Sequence, residues 1–376
     1  MNLRLSQNID DIFVEESGKI ISSPHPLSQY KVLKSFEESG SACSNTGWSP
    51  IYFSMGDLYS FSYVKSHSYG EYIFDWAWAD LYQRLGLNYY PKLIHAIPFT
   101  PVNSDKVIYK NEKSDPFKLL KEIKEFYVSN NLSSHHYLFV EKELHEPLEK
   151  LGYFKKKSLQ YHMKVNFKDY DEYMGSLKAR KRKQIKKERT IVEKFLKDNS
   201  YEVLFKRATN LNKTELSKIY ELYLTTIDKK FSHPYLTKEF FLNLDKFNEC
   251  FFFLMKKDDD IDAMALFFES DDTLYGRYWG IKQEVAKKCS YLHFELCYYL
   301  GIEYAIDTHK SLFEAGAQGE HKLLRGFTPV EIISYHHIKA HEVGEIIKEH
   351  TERQNIQVET DIAYLKEHLP FKHSNL

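Results

Sequence analysis

The sequence predicts an α/β protein with a mixed central sheet, built as two successive units with a similar order of elements. The second half alternates helix, strand, helix, strand hairpin, helix, strand and strand, which is typical of a mixed sheet covered by helices. The first half can be read in a similar order. The length of 376 residues fits two to three domains of about 150 residues. We therefore expect domains at 1–165 and 166–340, followed by a helical tail at 341–376.

Hydrophobic spacing places the elements of the first half. Leu119, Leu120, Ile123 and Tyr127 fall on one helical face, for example. The pattern predicts helices at 27–38, 116–130 and 145–152, strand-like alternation across 52–79, loops and short edge pieces at 84–103, a buried strand at 137–140 and a strand at 158–167.

The second half is predicted in the same way. The pattern predicts a first helical turn at 171–177, a basic helix at 178–195, a strand at 201–205, a helix at 213–228, strands at 251–255, 263–268 and 274–279, a helix at 291–308 with Ser290 as its N-cap, strands at 312–315 and 330–337, and a polar helix from 344 onward.

Composition excludes several classes of protein. Lys and Arg number 52 against 53 Asp and Glu, so the chain is not a globally basic nucleic-acid coat protein, and we expect no DNA partner. The four cysteines form no CxxC pair, which indicates free thiols and no metal site. The acidic N-terminus lacks the apolar core of a signal peptide, and the run 251–255 is too short to cross a bilayer. We expect a soluble cytoplasmic protein.

The first functional signal is a basic run between Lys178 and Arg189, where eight basic residues stand against the single acid Glu188. Apolar residues continue at helical spacing, so one face packs inward and the basic faces remain outside. Phosphates of a tRNA, a nucleotide or a lipid diphosphate would relieve the repulsion, although a solvated face is the simpler alternative. The candidate phosphate-binding residues are Lys181, Arg182, Lys186 and Lys187.

The second signal follows the predicted strand at 312–315. Glu320, His321, Lys322 and Arg325 place an acid, an imidazole and two cations within six residues, after glycines that relax the backbone. Such a group could deprotonate an amine and hold a phosphate or an oxyanion. An exposed charged loop is the alternative interpretation.

The third signal is Arg277, which lies in an otherwise apolar strand and needs an anion. Either a bound ligand or a structural pair with Glu314 would satisfy it. We take Glu320 or His321 as candidate base, and Arg277, Lys322 and Arg325 as holders of a phosphate or oxyanion.

The fourth signal interleaves polar residues with large rings between 65 and 78, which suits a pocket that grips a polar substrate by stacking and hydrogen bonds. A lone histidine such as His67 is more often structural than catalytic. The candidate acceptor-binding residues are Lys65, His67, Tyr69, Glu71, Asp75 and Trp76.

Seven blocks in order, across about 23–338, resemble the FemAB-like N-acyltransferases of the GNAT superfamily, a bacterial family associated with peptidoglycan biosynthesis or recognition. These blocks are ESGSACSNTGW, KSHSYGEYIFDWAWADLY, YYPKLIHAIPFTPV, RKRKQIKKER, YGRYWG, HFELCYY and EAGAQGEHKLLRGFTPV. The resemblance implies two tandem GNAT-like domains. The basic run is similar to the basic helix of Fem-type enzymes, and Gly319–Phe327 resembles their Lys-rich strand after a glycine turn.

The resemblance implies an acyl- or aminoacyltransferase that uses an activated donor, aminoacyl-tRNA or acyl-CoA, and an amine acceptor, such as that of a cell-wall precursor. The donor is a co-substrate, and we expect no permanently bound cofactor. The sequence departs from acetyl-CoA enzymes of this superfamily because 280–295 lacks the glycines of their pyrophosphate loop. Amides at the Ser290 helix start, with Lys287 and Lys288, could still bind phosphate.

Two other functions remain open at this point. One is a CoA-dependent N-acetyltransferase that acts on a small amine. The other is a non-catalytic module that binds a cell-wall precursor or RNA. A transient contact with a membrane surface fits a lipid-linked acceptor.

Overall fold

The structure is a computed structural model that describes residues 2–111, 114–228, 233–316 and 319–372. Its α-helices, numbered along the chain, are α1 (Asp10–Phe13), α2 (Tyr30–Glu38), α3 (Trp76–Arg84), α4 (Phe117–Ser129), α5 (His145–Lys150), α6 (Tyr170–Ser176), α7 (Ala179–Asp198), α8 (Lys213–Asp228), α9 (Lys238–Leu242), α10 (Gln283–Ala286), α11 (Leu292–Phe294), α12 (Leu300–Asp307) and α13 (His341–Glu367).

The strands are β1 (Arg4–Ser6), β2 (Trp48–Met55), β3 (Leu58–Lys65), β4 (Lys92–His95), β5 (Ile108–Tyr109), β6 (Ser134–Tyr137), β7 (Phe154–Lys164), β8 (Glu202–Arg207), β9 (Cys250–Lys257), β10 (Asp260–Glu269), β11 (Thr273–Ile281), β12 (Leu312–Glu314) and β13 (Thr328–Ile338). The mixed α/β architecture that the sequence predicts is confirmed.

The chain divides into two compact units. The first comprises Met1–Leu159 and Glu331–Asp361, and the second comprises Gln160–Val330 and Ile362–Leu376. The chain therefore passes from the first unit to the second within β7, and it returns within β13. Helix α13, which the sequence predicts as part of a separate tail, belongs to the first unit up to Asp361.

In the first unit the strands follow the order β1-β2-β3-β4-β6-β13, with β5 beside β3. All neighbours are antiparallel except β4 and β6, which run parallel. Parallel neighbours need a crossover, and α4 supplies it here. Its apolar face (Leu119, Leu120, Ile123 and Tyr127) packs into the core of this unit.

The second unit repeats this pattern. Its strands follow the order β8-β9-β10-β11-β12-β7, and the neighbours are again antiparallel except for one parallel pair, β11 and β12. The crossover between these two strands contains α11 and α12. Both units thus have four strands in an antiparallel meander, a parallel neighbour and a final antiparallel strand, which is the tandem arrangement expected of two GNAT-like domains.

The expectation of strand-like alternation across 52–79 is wrong in its second half. Strand β3 ends at Lys65, a loop follows, and α3 begins at Trp76. Trp78 and Tyr82, spaced four apart, are both buried. Large rings in a short stretch fit both the two-residue period of a strand and the 3.6-residue period of a helix. Here Trp78 and Tyr82 pack on one buried face, which is the helical arrangement.

The expectation of loops and edge pieces at 84–103 is also wrong in part. Strand β4 lies inside the sheet between β3 and β6, and all four of its residues are buried. Pro91 immediately precedes the strand and Pro98 follows it, so the prolines bracket β4 without removing any hydrogen-bond donor from it.

The crossover helix of the second unit is not a uniform α-helix. Between α11 and α12 the backbone forms a π-helical segment, Glu295–Tyr299. The N-cap residue of α11 is Tyr291, and no side chain makes a capping hydrogen bond there. The expectation that Ser290 caps this helix is therefore wrong. The four cysteines are free thiols, as expected. Within the described residues, no helix is both long and apolar enough to cross a bilayer.

Candidate functional site

The site in the second unit forms where β12 stops beside β11. The two strands pair over three residues, from Thr273 with Leu312 to Tyr275 with Glu314. Strand β12 ends there, whereas β11 continues to Ile281 along β10. The edge of β11 after Tyr275 is therefore released from the parallel ladder, and Arg277 lies at the start of this stretch.

The segment after β12 returns as a 3₁₀ turn, Glu320–Arg325, which we call the 320–325 turn. Glycines with positive φ flank it, Gly319 at 115° and Gly326 at 91°. The φ of Gly319 disfavours residues with a side chain, and a Cβ atom there would lie 2.4 Å from the His321 ring, so it would also displace that ring. The turn buries Lys322 and Arg325 and leaves Glu320 exposed.

Lys322 lies at the released edge of β11. Its Nζ donates to the Gly316 carbonyl at 2.7 Å. A Cβ atom at Gly316 would lie 3.8 Å from this Nζ and 3.9 Å from the Gly276 carbonyl oxygen, so all three groups are close. The residue is 2% exposed. Burial, with a further contribution from Arg277, lowers the pKa of Lys322 to about 7.

Arg277 is paired with Glu314, as one of the two sequence interpretations expected. Its Nη2 lies 3.8 Å from the Glu314 carboxylate, and both side chains are buried. The same carboxylate lies 3.9 Å from His162 Nδ1 on β7. Burial, followed by the charges of Arg277 and Lys322, lowers the pKa of His162 to about 4. His162 is therefore a neutral imidazole near pH 7.

His321 contacts the π-helical segment. Its Nε2 and the Tyr298 hydroxyl are 2.8 Å apart. Burial, with the charges of Lys322 and Arg325, lowers the pKa of His321 to about 4. The π-helical segment also places Cys297 near Lys322, and burial raises the pKa of that thiol. Single π-turns inside helices are frequent at functional sites.

Arg325 is joined to the basic helix α7. Its Nη2 donates to Glu188 at 2.8 Å, and both side chains are almost fully buried. Tyr299 also donates to Glu188, and the Arg325 guanidinium lies 3.5 Å from the centroid of Phe294. Arg325 is therefore committed to structural contacts in this state.

The inward face of α7 thus holds the 320–325 turn and the crossover helix. Arg189 adds ion pairs to Glu295 at 2.8 Å and Glu303 at 2.6 Å. Of the four candidate phosphate-binding residues, Lys186 and Lys187 are exposed, while Lys181 and Arg182 are half-buried. Arg182 donates to the Leu177 carbonyl at 3.2 Å. The exposed face also carries Lys183.

In the first unit, Lys65, Glu71 and Asp75 are brought together below the surface. They form a network with Lys92, and all four side chains are fully buried. Lys92 donates to Glu71 at 2.7 Å and to Asp75 at 2.5 Å. Burial opposes the charge on Lys92, yet Asp75 and Glu71 raise its pKa above the ordinary value. These residues lie below the surface and hold the loop that follows β3.

The three other candidate acceptor-binding residues lie nearer the solvent. Tyr69 and Trp76 are exposed, and their ring centroids are 5.0 Å apart. His67 is half-buried, and its Nε2 lies 3.0 Å from the Thr46 carbonyl oxygen. His67 therefore has a backbone partner that fixes its ring.

Sequence reasoning gave no role to three residues of these sites: Lys92, His162 and Glu188. The signal for Lys92 in the sequence was a charged residue between Pro91 and the apolar pair Leu93 and Ile94. Glu188 could have been found as the single acid in the basic run. Across the described residues, no three or more His, Cys, Asp or Glu side chains are grouped as a metal site.

A cavity of about 720 Å³ also lies in the second unit. Its lining includes Lys164, Glu172, Gly326 and Phe371. Neither Arg277 nor Lys322 lines it, so this cavity and the buried polar cluster are separate features.

Comparison with known proteins gives one family match. The model of the FemAB-like family, described as peptidoglycan biosynthesis/recognition, matches residues 8–373. None of the curated proteins matches the chain.

Several solved structures have a similar fold. FemX has 12% sequence identity and a TM-score of 0.52, over 93% of this chain and 100% of FemX. A conserved protein of unknown function from Bacteroides thetaiotaomicron has 10% identity and a TM-score of 0.53, over 89% of this chain and 99% of that one. L-PGS from Bacillus licheniformis has 12% identity and a TM-score of 0.50, over 86% and 94% of the two chains. At these identities the likeness shows a shared fold.

Proposed function

The chain belongs to the FemAB-like family, and from this premise we propose that it is an N-acyltransferase that moves an acyl or aminoacyl group from an activated donor to an amine of a peptidoglycan precursor. The observation that carries the proposal is Lys322, a buried lysine with a pKa of about 7 beside Arg277, at the point where β12 leaves β11.

Lys322 has the properties of a general base for this reaction. An acceptor amine is mostly protonated near pH 7 and must lose a proton before it can attack. A lysine whose pKa is near the working pH is matched to that transfer. His321, with a pKa of about 4, is a weaker base, and exposed Glu320 lies outside the buried cluster. We therefore assign the base to Lys322.

The reaction then balances as follows. The neutral amine of Lys322 takes the proton from the acceptor ammonium group. The acceptor nitrogen bonds to the carbonyl carbon, the carbonyl oxygen gains negative charge, and Arg277 stabilises it. The attacking nitrogen then loses its extra proton, the carbonyl double bond re-forms, and the bond from that carbon to the donor oxygen or sulfur breaks. The leaving atom takes up the proton that the nitrogen lost. Arg277 and Lys322 are buried, so the side chains covering them must move for the substrate to arrive.

The donor we propose is aminoacyl-tRNA. The exposed basic face of α7 suits a phosphate backbone, and its inward face contacts the 320–325 turn. Acyl-CoA is the alternative donor. Lys287 and Lys288, which precede the crossover helix, are exposed and could contact its phosphates.

A transfer assay tests the proposal. Radiolabelled aminoacyl-tRNA or acetyl-CoA is incubated with the full chain and a peptidoglycan precursor that carries a free amine. We expect labelled precursor from aminoacyl-tRNA, and Lys322→Gln should lower the rate by about 100-fold or more. Lys310→Gln is the matched control, because Lys310 is a buried lysine paired with Glu269 in the same unit.

Each outcome has a defined meaning. Label from acetyl-CoA alone would replace the proposed donor by a CoA thioester. Full activity of Lys322→Gln would remove Lys322 from the base assignment. Binding of the precursor without transfer from either donor would favour a non-catalytic binding module.

A further inference from the structure

Glu314 is a buried carboxylate that lies between Arg277 and His162 in the second unit. The residue is 6% exposed. Its Oε2 atom lies 3.8 Å from Arg277 Nη2, and its Oε1 atom lies 3.9 Å from His162 Nδ1. Glu314 is the last residue of β12, so it lies at the point where the parallel ladder with β11 ends. The carboxylate is therefore at the same point of the sheet as the acyl-transfer residues.

The permanent charges of this cluster are one cation and one anion. Burial is the main cause that lowers the pKa of Lys322 to about 7 and that of His162 to about 4. Arg277 keeps its charge, and a neighbouring cation favours the ionised form of the Glu314 carboxyl group. A ligand that complements the cluster therefore presents a negative group to Arg277 and a positive group to Glu314.

An aminoacyl group carries two such groups at a fixed spacing. Its α-nitrogen is bonded to the carbon next to the carbonyl carbon, so this nitrogen and the carbonyl oxygen lie about 3 Å apart. The Arg277 nitrogen and the Glu314 oxygen are 3.8 Å apart. When the carbonyl oxygen is bound by Arg277, the α-ammonium group can therefore reach Glu314. A carboxylate has about four acceptor positions, so this contact adds to those that Glu314 makes in the free protein.

Donors without an α-ammonium group fit the same place less well. An acetyl group presents only its methyl group to the carboxylate, and this group donates no hydrogen bond to a buried anion. A hydroxyl group in place of the amine donates a hydrogen bond but brings no charge, and charge-assisted hydrogen bonds are the stronger ones. The cluster thus favours an aminoacyl group over an acetyl or a hydroxyacyl group.

We propose that Glu314 binds the α-ammonium group of the donor and so selects aminoacyl donors over acyl donors that lack an α-amine. The inference rests on the proposed function, and it assigns a specificity-determining residue to the same site. The carboxylate also favours the charged form of the α-amine, which keeps the donor from acting as the nucleophile.

A comparison of two donors in the transfer assay tests the role of Glu314. Alanyl-tRNA and lactyl-tRNA differ only in the α-ammonium group and the hydroxyl group that replaces it, and kcat/KM is measured for each with the full chain. We expect the wild type to prefer alanyl-tRNA by about 10- to 100-fold, the range of a hydrogen bond to a charged group. Glu314→Gln should remove most of this preference by slowing transfer from alanyl-tRNA alone.

A purely structural role of Glu314 predicts a different result. Loss of the pair with Arg277 would then slow transfer from both donors by the same factor, and such an equal loss would overturn the inference. Both rates come from one preparation, so their ratio does not depend on the folded fraction of the variant. Glu269→Gln is the matched control and should keep the wild-type preference, because Glu269 is a largely buried acid paired with Lys310 at 2.9 Å in the same unit.

Binding of donor analogues separates this site from the proposed reaction. Adenosine derivatives that carry an alanyl or a lactyl group through a stable amide cannot transfer it, and their affinities are measured by saturation-transfer NMR. If the wild type transfers neither group from tRNA, the proposed function is rejected, and these affinities decide the site. Tighter binding of the alanyl derivative that Glu314→Gln abolishes would then retain the site. Equal affinities, or no binding of either derivative, would overturn it.

Discussion

Lys322 and Arg325 lie three residues apart on one short turn, yet their surroundings differ. The ammonium group of Lys322 donates to a carbonyl oxygen, that of Gly316. The guanidinium of Arg325 donates to the carboxylate of Glu188 and to the His321 carbonyl at 2.8 Å. A buried lysine beside another cation loses its proton easily, whereas the Arg325 guanidinium is held by an ion pair. Lys322 is thus suited to proton transfer, and Arg325 is suited to holding the 320–325 turn in place.

Glu188→Gln tests the supporting role of the Glu188–Arg325 pair. Removal of one partner leaves a buried charge uncompensated, so we expect a loss of about 3–5 kcal/mol in the unfolding free energy, measured with urea. Glu193→Gln is the matched control, because Glu193 is an exposed acid on the same helix. If the two variants were equally stable, the buried pair would not support the turn.

At the scale of elements, the predictions succeed where one hydrophobic pattern continues over a long segment. Helix α8 has the predicted bounds, and α7 follows the apolar spacing around Ile185 and Val192. They fail where short aromatic stretches fit two periods, as before α3. The site could be predicted only in part: the 320–325 turn was singled out, but the depressed pKa of Lys322 arises from packing that no spacing reveals.

Strands β4, β6 and β13 bury a layer of histidines in the first unit. His136 and His336 are opposite each other, with their Nδ1 atoms 2.7 Å apart. Burial lowers the pKa of His95 to about 3 and that of His337 to about 4. The same cause holds the pKa values of His135, His136 and His336 well below the ordinary range.

Stability of the first unit should therefore fall in acid. The folded pKa values lie below the unfolded value near 6.5, so the unfolded chain binds more protons as the pH falls from about 6.5 towards 4. Each buried histidine contributes a slope of about 1.4 kcal/mol per pH unit in that window. Hydrogen exchange of β6 amides measures this opening free energy.

His95→Asn should reduce the pH slope of the opening free energy by about 1.4 kcal/mol per pH unit, the contribution of one buried histidine. His350→Asn, at an exposed position of the same unit, should leave the slope unchanged. An opening free energy that does not depend on pH between about 6.5 and 4 would contradict the account of the histidine layer.

At the scale of the whole molecule, charge is distributed unevenly in a chain whose net charge is −1. The exposed face of α7 concentrates positive charge. This local field favours a phosphate-rich ligand even though the whole chain is close to neutral.

Binding of tRNA tests the role of the basic face. Combined Lys183→Gln, Lys186→Gln and Lys187→Gln changes should weaken binding by about tenfold or more and reduce its salt dependence, because fewer counterions are released. A control with the same charge change is Lys118→Gln, Lys121→Gln and Lys142→Gln, all exposed in the first unit. Equal losses in both variants would mean that binding is not specific to α7.

Whether Lys322 is a neutral amine near pH 7 is measured most directly by competitive labelling of the full-length protein with acetic anhydride at a series of pH values, read out by mass spectrometry. The structure predicts that labelling of Lys322 titrates with a pKa of about 7, after normalisation to the unfolded chain. Titration near the ordinary lysine value of about 10.4 would contradict the assignment of Lys322 as the base.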